Sequence, residues 1–245
     1  MMGERMLATA RSIGAAFVEC FLPQFCVLCE TRIFSGVKLC SRCGGSLGAD
    51  PVFFCPLCRF EGRRGGGAEN ESCACREESH SFITGRAAVR ARAEILDLVH
   101  KFKYSGEREL SSVLARLILD SGIVDEDFRN FQLMCPVPLF RARLRERGFN
   151  QSAEIARQLE AHSGVPLITD LVSKLRPTAE QAKLTGDSRR RNLLHSFVVA
   201  KESVACGKSV ILVDDVVTTG STVAACAEAL RASGVRRVLV VAIAA

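Results

Sequence analysis

From Val210 to Val213 every side chain is aliphatic, and the same is true from Val238 to Ile243. Continuous apolar runs of this length suit strands covered on both faces, as in a parallel sheet. Between them Val223, Ala227 and Leu230 recur at helical spacing, with Gly234 just past the last of them. Glycine there is a helix stop, so the segment predicts a strand, a helix and a second parallel strand. Further upstream, Ser81 to Arg90 reads as extended. Ile95, Leu96, Val99 and Phe102 mark one helix, and Leu110, Val113, Leu114, Leu117 and Ile118 mark a second. Gln132 to Pro138 reads as another strand. Asn150 then reads as the N-cap of a helix carrying Ile155, Ala156 and Leu159 on one face as far as Gly164.

The first part of the chain has another character. Met6, Leu7, Ala10, Ile13, Phe17 and Phe21 lie at helical spacing interrupted by Arg11 and Glu19. This predicts a short amphipathic helix over residues 1–24 that packs on the protein, with attachment to a membrane surface as the alternative. A secretory signal would need a compact apolar core and a small-residue cleavage site. No run approaches the roughly 18 to 20 apolar residues that a membrane span needs.

Nine of the 12 cysteines fall within the first 75 residues. Cys26-x-x-Cys29 and Cys40-x-x-Cys43, with nearby glycines for tight turns, have the spacing of a four-thiolate zinc site. Cys55-x-x-Cys58 and Cys73-x-Cys75 form a second, less regular set around a glycine- and arginine-rich insertion. In a chain without a secretion signal the expected compartment is the reducing cytoplasm, where paired thiols bind metal more often than each other. Four thiolates leave no open coordination position, so such zinc is structural. The composition shift places a cysteine-rich module at residues 25–80 and an α/β domain at 81–245. Cys135, Cys206 and Cys226 read as ordinary core or near-surface residues.

Lys and Arg number 33 against 27 Asp and Glu, a net charge of +6. The excess is concentrated at Arg141, Arg143, Arg145 and Arg147 and at Arg189 to Arg191, which favours anionic partners. The first cluster is expected in a loop between strand and helix. The candidate chemistry lies at the end of the 210–213 strand, where Asp214 and Asp215 are followed by Thr218, Thr219, Gly220, Ser221 and Thr222. Ligands bind at the carboxyl ends of parallel strands. Two carboxylates there can accept hydrogen bonds from ribose hydroxyls or hold hydrated magnesium. Gly220 allows close backbone approach, and the hydroxyls and free amides of the following helix suit a phosphate monoester. A nucleotide triphosphatase would also need a phosphate loop. The one Gly-Lys-Ser, at 207–209, enters a strand instead of leaving one and has Glu202 where that loop's first glycine belongs.

This window resembles the phosphoribosyl pyrophosphate (PRPP) signature of type I phosphoribosyltransferases. By that resemblance Asp214 and Asp215 bind the ribose hydroxyls, and residues 218–222 bind the 5′-phosphate. Ser173 to Asn192 is long and polar, a candidate mobile loop carrying Lys174 and Arg176 as catalytic candidates. His100-Lys101-Phe102-Lys103-Tyr104-Ser105-Gly106 holds the only tyrosine and reads either as a cationic helix end or as part of the site.

The cysteine pairs, the His-x-x-Lys-Tyr-x-Gly stretch and Pro136-Val137-Pro138 with Arg147-Gly148-Phe149-Asn150-Gln151 form one pattern with Thr178, Gln181, Asn192 and the PRPP signature. Together they resemble the ComF family over nearly the whole chain. The departure is Cys73-x-Cys75, where a wider pair is usual. The resemblance implies an α/β fold, with a mainly parallel, type I phosphoribosyltransferase-like sheet flanked by helices and preceded by a small zinc module. It implies a role in DNA uptake during natural competence, with Zn and Mg as metals and PRPP as ligand. Arg147 and Tyr104 are further substrate-binding candidates. Two functions stay open: phosphoribosyl transfer to an unknown acceptor with loss of pyrophosphate, or non-catalytic handling of single-stranded DNA or a regulatory nucleotide. The second would involve competence-machinery proteins as partners. Without tryptophan, base stacking there would fall to phenylalanines such as Phe53, Phe54 or Phe149.

Overall fold

The computed structural model describes residues 24–33, 38–58, 61–62, 82–124, 126–175 and 196–245, with backbone alone for 61–62 and 126–127. The expected N-terminal helix, Cys73, Cys75, Arg176 and most of the candidate mobile loop lie outside these residues. The chain divides into two compact units, 1–48 and 49–245. The composition shift near residue 80 and this spatial division fall at different places.

In the first unit, β1 (Gln24–Phe25) and β2 (Arg32–Ile33) pair antiparallel, and α1 (Ser41–Ser46) follows. The second unit is built on a six-stranded sheet. Its strands are β3 (Val52–Phe54), β4 (Glu61–Gly62), β5 (Ile83–Val89), β6 (Leu133–Pro136), β9 (Ser209–Val216) and β10 (Arg237–Ala244), in the order β4-β3-β5-β10-β9-β6. The four strands β5, β10, β9 and β6 are parallel. β3 and β4 extend that sheet antiparallel, which the sequence pattern did not anticipate. Two short strands outside it, β7 (Val172–Lys174) and β8 (Phe197–Val199), form an antiparallel hairpin, which the short helix α6 (Glu202–Ala205) follows.

Side chains alternate across a strand, so the aliphatic runs supply two cores. Val210, Leu212, Val238 and Val240 face one side, where they cluster with Val223, Cys226 and Leu230 of α7 (Ser221–Ala232) and with Val172, Phe197 and Val199 of the hairpin. α3 (Leu110–Asp120) and α5 (Gln151–Ser163) pack on each other and on the central strands. They bury Leu110, Leu114, Ile118, Ile155 and Leu159. The expected caps are present: the Asn150 side chain accepts from the Ser152 amide at 3.0 Å, and Gly164 closes α5 with φ 71°. Cys135 and Cys226 are fully buried core residues, and burial pushes the Cys135 thiol up to about 12.

The arginines at 141–147 do not form the expected loop. They form α4 (Arg141–Arg147), closed by Gly148 at φ 78°. Arginine is a good helix former, and a left-handed glycine ends a helix well, so local propensity wins where no apolar face exists to reveal the period.

Where β3 joins β5, Phe54 stands opposite Gly85, and a Cβ at Gly85 would lie 2.6 Å from the Phe54 ring. Glycine here makes room for the aromatic ring that holds the antiparallel extension to the parallel sheet. We predict that Gly85→Ala destabilises the second unit by about 1–3 kcal/mol, measured by urea unfolding. An unchanged midpoint would show that Phe54 does not depend on this contact.

Candidate functional site

Near its carboxyl end β9 carries Asp214 and Asp215, and strand alternation sends the two carboxylates to opposite faces. Asp215 is 4% exposed. Its Oδ1 accepts from the Val216 amide at 2.6 Å, and its Oδ2 lies 2.9 Å from Nζ of Lys103 in α2 (Ala93–Tyr104). That close contact lacks regular hydrogen-bond geometry, which leaves Oδ2 without a conventional donor. Asp214 is partly covered. Its Oδ1 accepts from the Asp215 amide at 2.9 Å and from the Ser152 hydroxyl at 3.2 Å. Burial, then the neighbouring Asp215 charge, pushes the Asp214 carboxyl up to about 7 against the opposing pull of these hydrogen bonds and of Lys103.

Beyond β9 the chain turns through Thr218 and Thr219, both exposed, to a buried Gly220 with φ 73° that caps α7. L-residues rarely adopt this backbone, which explains glycine at the mouth of the helix. The Thr219 hydroxyl lies 2.9 Å from that of Ser221 and 3.4 Å from the Ser221 amide. Ser221 and Thr222 form the first turn of α7, partly exposed. The loop therefore presents hydroxyls and helix-terminal amides beside the two carboxylates, a donor set complementary to a phosphate.

Two more of the sequence motifs come together next to it. Tyr104 ends α2 and is 55% exposed. The Arg147 guanidinium, at the end of α4, lies over its ring at 5.0 Å and donates to Gln151. Asn150 also donates to the Val137 carbonyl at 3.0 Å, tying the loop after β6 to the start of α5. Lys174 ends β7 with its Nζ over the Phe197 ring at 5.4 Å. Burial depresses the Lys174 pKa, while the Asp214 carboxylate opposes that shift. Lys103 and Ser152 were missed as site residues. Lys103 stood among other cations in its motif. Ser152, which no sequence motif singled out, is 1% exposed.

The phenylalanines named for base stacking do not supply a platform. Phe149 is 5% exposed, packed 5.4 Å from Phe102 and under Arg108 at 5.1 Å. Phe54 is buried over Gly85, and Phe53 is only partly exposed, with Arg86 over its ring at 5.8 Å.

In the first unit, the ligand atoms of Cys26, Cys29, Cys40 and Cys43 all lie within 4.8 Å of one another. Tetrahedral metal–thiolate bonds of about 2.3 Å require sulfur–sulfur edges of about 3.8 Å. The Cys29 and Cys40 sulfurs are 3.7 Å apart. The Cys43 amide donates to the Cys40 sulfur at 3.4 Å, so backbone as well as spacing fits the group to a cation. Hydrogen bonding with Thr31 lowers the Cys29 pKa, and a hydrogen bond with Cys29 raises that of Cys43. The cluster could hold a metal ion. Of the second set, Cys55 is buried and Cys58 exposed on the turn after β3.

The family model for the phosphoribosyl transferase domain matches residues 144–245, which contain both carboxylates and the hydroxyl loop. The DNA utilization protein YhgH of Salmonella typhimurium is 36% identical over 226 residues, covering 89% of this chain and 96% of that protein. Competence protein F of Haemophilus influenzae is 33% identical over 149 residues, 58% of this chain and 64% of that protein. Competence protein ComFC of Bacillus subtilis is 25% identical over 239 residues, 85% of this chain and 89% of that protein. The chain belongs to the ComF family. Its phosphoribosyltransferase-like domain places the ComF sequence motifs from α2, the start of α5 and the end of β9 around one strand end. Among the described residues, no helix is long and apolar enough to cross a membrane.

The raised Asp214 pKa has a consequence for stability. In the unfolded chain the group ionises near 3.8 and in the folded protein near 7, so the folded state holds its proton longer. Ionising it therefore costs the fold nothing below about pH 3.8, progressively more up to pH 7, and a constant amount above that. We predict that Asp214→Asn, which retains an acceptor oxygen for Ser152, raises the melting temperature by a few degrees at pH 8 and not at pH 4. An equal gain at both pH values would contradict this origin.

Proposed function

We propose that the end of β9 binds PRPP or a related sugar phosphate together with magnesium. The observation that carries this reading is the pairing of two adjacent carboxylates, one buried and one partly covered, with a hydroxyl- and amide-rich turn at the mouth of α7. Asp214 and Asp215 receive the ribose hydroxyls, and residues 218–222 receive the 5′-phosphate. The carboxylate oxygens are suitable hard donors for magnesium, which when bound would neutralise the leaving pyrophosphate. Asp215 already faces Lys103, so its role is to orient the sugar with one oxygen while the ammonium balances its charge. Arg147 and Tyr104 form a cation–aromatic edge for the substrate, and Lys174 and Arg176 are the catalytic candidates from the segment after β7.

When an acceptor is present, its nitrogen lone pair forms a bond to ribose C1 as the bond from C1 to the pyrophosphate oxygen breaks. Pyrophosphate leaves with that electron pair, and the acceptor nitrogen loses a proton to solvent. Little acid or base assistance is required; orientation and charge stabilisation supply the catalysis. The names of the relatives connect the protein to competence and DNA utilization, and we place this site in DNA uptake on that ground. The non-catalytic reading is favoured by the exposed arginines of α4 and the net charge of +6, which suit a single-stranded DNA partner held by its phosphates.

The four thiols of the first unit bind one structural zinc ion, and Cys55, Cys58, Cys73 and Cys75 bind a second. We place the protein in the cytoplasm, a reducing compartment in which paired thiols bind metal more often than each other.

Calorimetric titration with PRPP and magnesium should give micromolar binding that Asp214→Asn with Asp215→Asn reduces at least a hundredfold in the folded protein. Unchanged affinity would remove the site assignment, and binding of single strands alone, lost on adding salt, would favour the DNA reading. Metal analysis should find two zinc ions per chain, with one lost in Cys29→Ser with Cys43→Ser while PRPP binding remains. Absence of zinc from the purified protein would overturn the metal assignment.

A further inference from the structure

At the opposite, amino-terminal edge of the parallel sheet lies a cavity of about 540 Å³ lined by Arg129, Asn130, Gln132, Arg236 and Arg237. It is formed where β6, β9 and β10 begin. Ser209, the first residue of β9, is five positions from Asp214, about 17 Å along an extended strand. The cavity is therefore separate from the site at the strand ends, and nothing in the sugar-phosphate reading requires it.

Its walls are ordered. The Arg236 guanidinium donates to the buried Ser209 hydroxyl at 3.4 and 3.3 Å, and the Arg237 guanidinium lies 4.5 Å above the Phe131 ring. Gln132 spends both ends of its amide on backbone: its carbonyl accepts from the Ser209 amide at 2.9 Å, and its nitrogen donates to the Asn130 carbonyl. Two guanidinium groups are thus held in place before any ligand arrives, and Arg129 stands at the rim. Among the described residues, no carboxylate forms an ion pair with any of the three arginines, and none lines the cavity. Three like charges around one concavity, without a carboxylate partner among the described residues, create a positive potential that an anion would neutralise.

We propose that this cavity is a second anion site that takes a compact polyphosphate: inorganic pyrophosphate or the phosphate tail of a nucleoside polyphosphate. Guanidinium forks match phosphate oxygens in pairs, and three of them suit an anion with several charges on adjacent phosphorus atoms. The volume lies within the usual range for small-molecule sites, roughly 300–1,000 Å³. An extended nucleic acid is a poorer match. Asp125, Glu126 and Asp127 stand directly before Phe128 and Arg129 in sequence, which sets acidic residues within a few residues of the rim.

The test uses the full-length, zinc-loaded protein in which Asp214→Asn and Asp215→Asn have disabled the other site. Titration with inorganic pyrophosphate, without added magnesium, should still show one-to-one binding. Arg236→Gln with Arg237→Gln should weaken it at least tenfold, as should Arg129→Gln, which disturbs neither the Ser209 nor the Phe131 contact. Raising the salt concentration should weaken it further, with the melting temperature of each variant confirming the fold. No binding in the carboxylate variant, or binding indifferent to the arginine changes, would overturn the proposal. So would a result in which the arginine changes weaken a single-stranded oligothymidylate and leave pyrophosphate untouched.

Discussion

Two adjacent carboxylates at the end of a strand that is buried on both faces pose an electrostatic difficulty around which the second unit is arranged. Each must be kept out of the apolar cores that Val210 to Val213 create, and each repels the other. Strand alternation separates them by aiming them at opposite faces. Lys103 then meets Asp215 on the face of α2, while Ser152 and the Asp215 amide satisfy Asp214. The compensation is incomplete, as the raised Asp214 pKa shows. Perturbed carboxylates of this kind cluster at functional sites.

That balance explains why segments far apart in sequence converge. α2 must deliver Lys103, so the chain around Tyr104 is brought to the strand end. The start of α5 must deliver Ser152, so Arg147 and Asn150 arrive with it. Of the motifs on which the family resemblance rests, those of α2, the start of α5 and the end of β9 thus neutralise, position and surround one pair of carboxylates. The thiol cluster of the first unit solves a different problem. The unit's described residues form two-residue strands and a six-residue helix, and four cysteines whose sulfurs lie within 4.8 Å of one another give them a fixed centre once a cation is bound.

The parallel strands, α5 with both its caps, and the strand-end carboxylates were legible because each has a local cause: apolar continuity, Asn150 and Gly164, and two acids at a strand terminus. The antiparallel extension through β3 was not, since three residues within a cysteine-rich stretch carry too little period to reveal a strand. Their pairing depends on Gly85 beneath Phe54, a contact between distant segments. The helix at Arg141 to Arg147 was hidden for the opposite reason, because it buries no side chain and so shows no apolar face. Lys103 and Ser152 escaped notice because one cation among several, or one serine on a helix, acquires meaning only from the carboxylate it meets. The phenylalanines considered for stacking showed the converse: side chains with suitable chemistry are absorbed by packing.

A crystal structure determined with PRPP and magnesium tests the account at its centre. The account predicts the 5′-phosphate against residues 218–222 and the ribose hydroxyls on Asp214 and Asp215, with Lys103 still facing Asp215. Ligand bound elsewhere, with the end of β9 vacant at saturating PRPP, would contradict it.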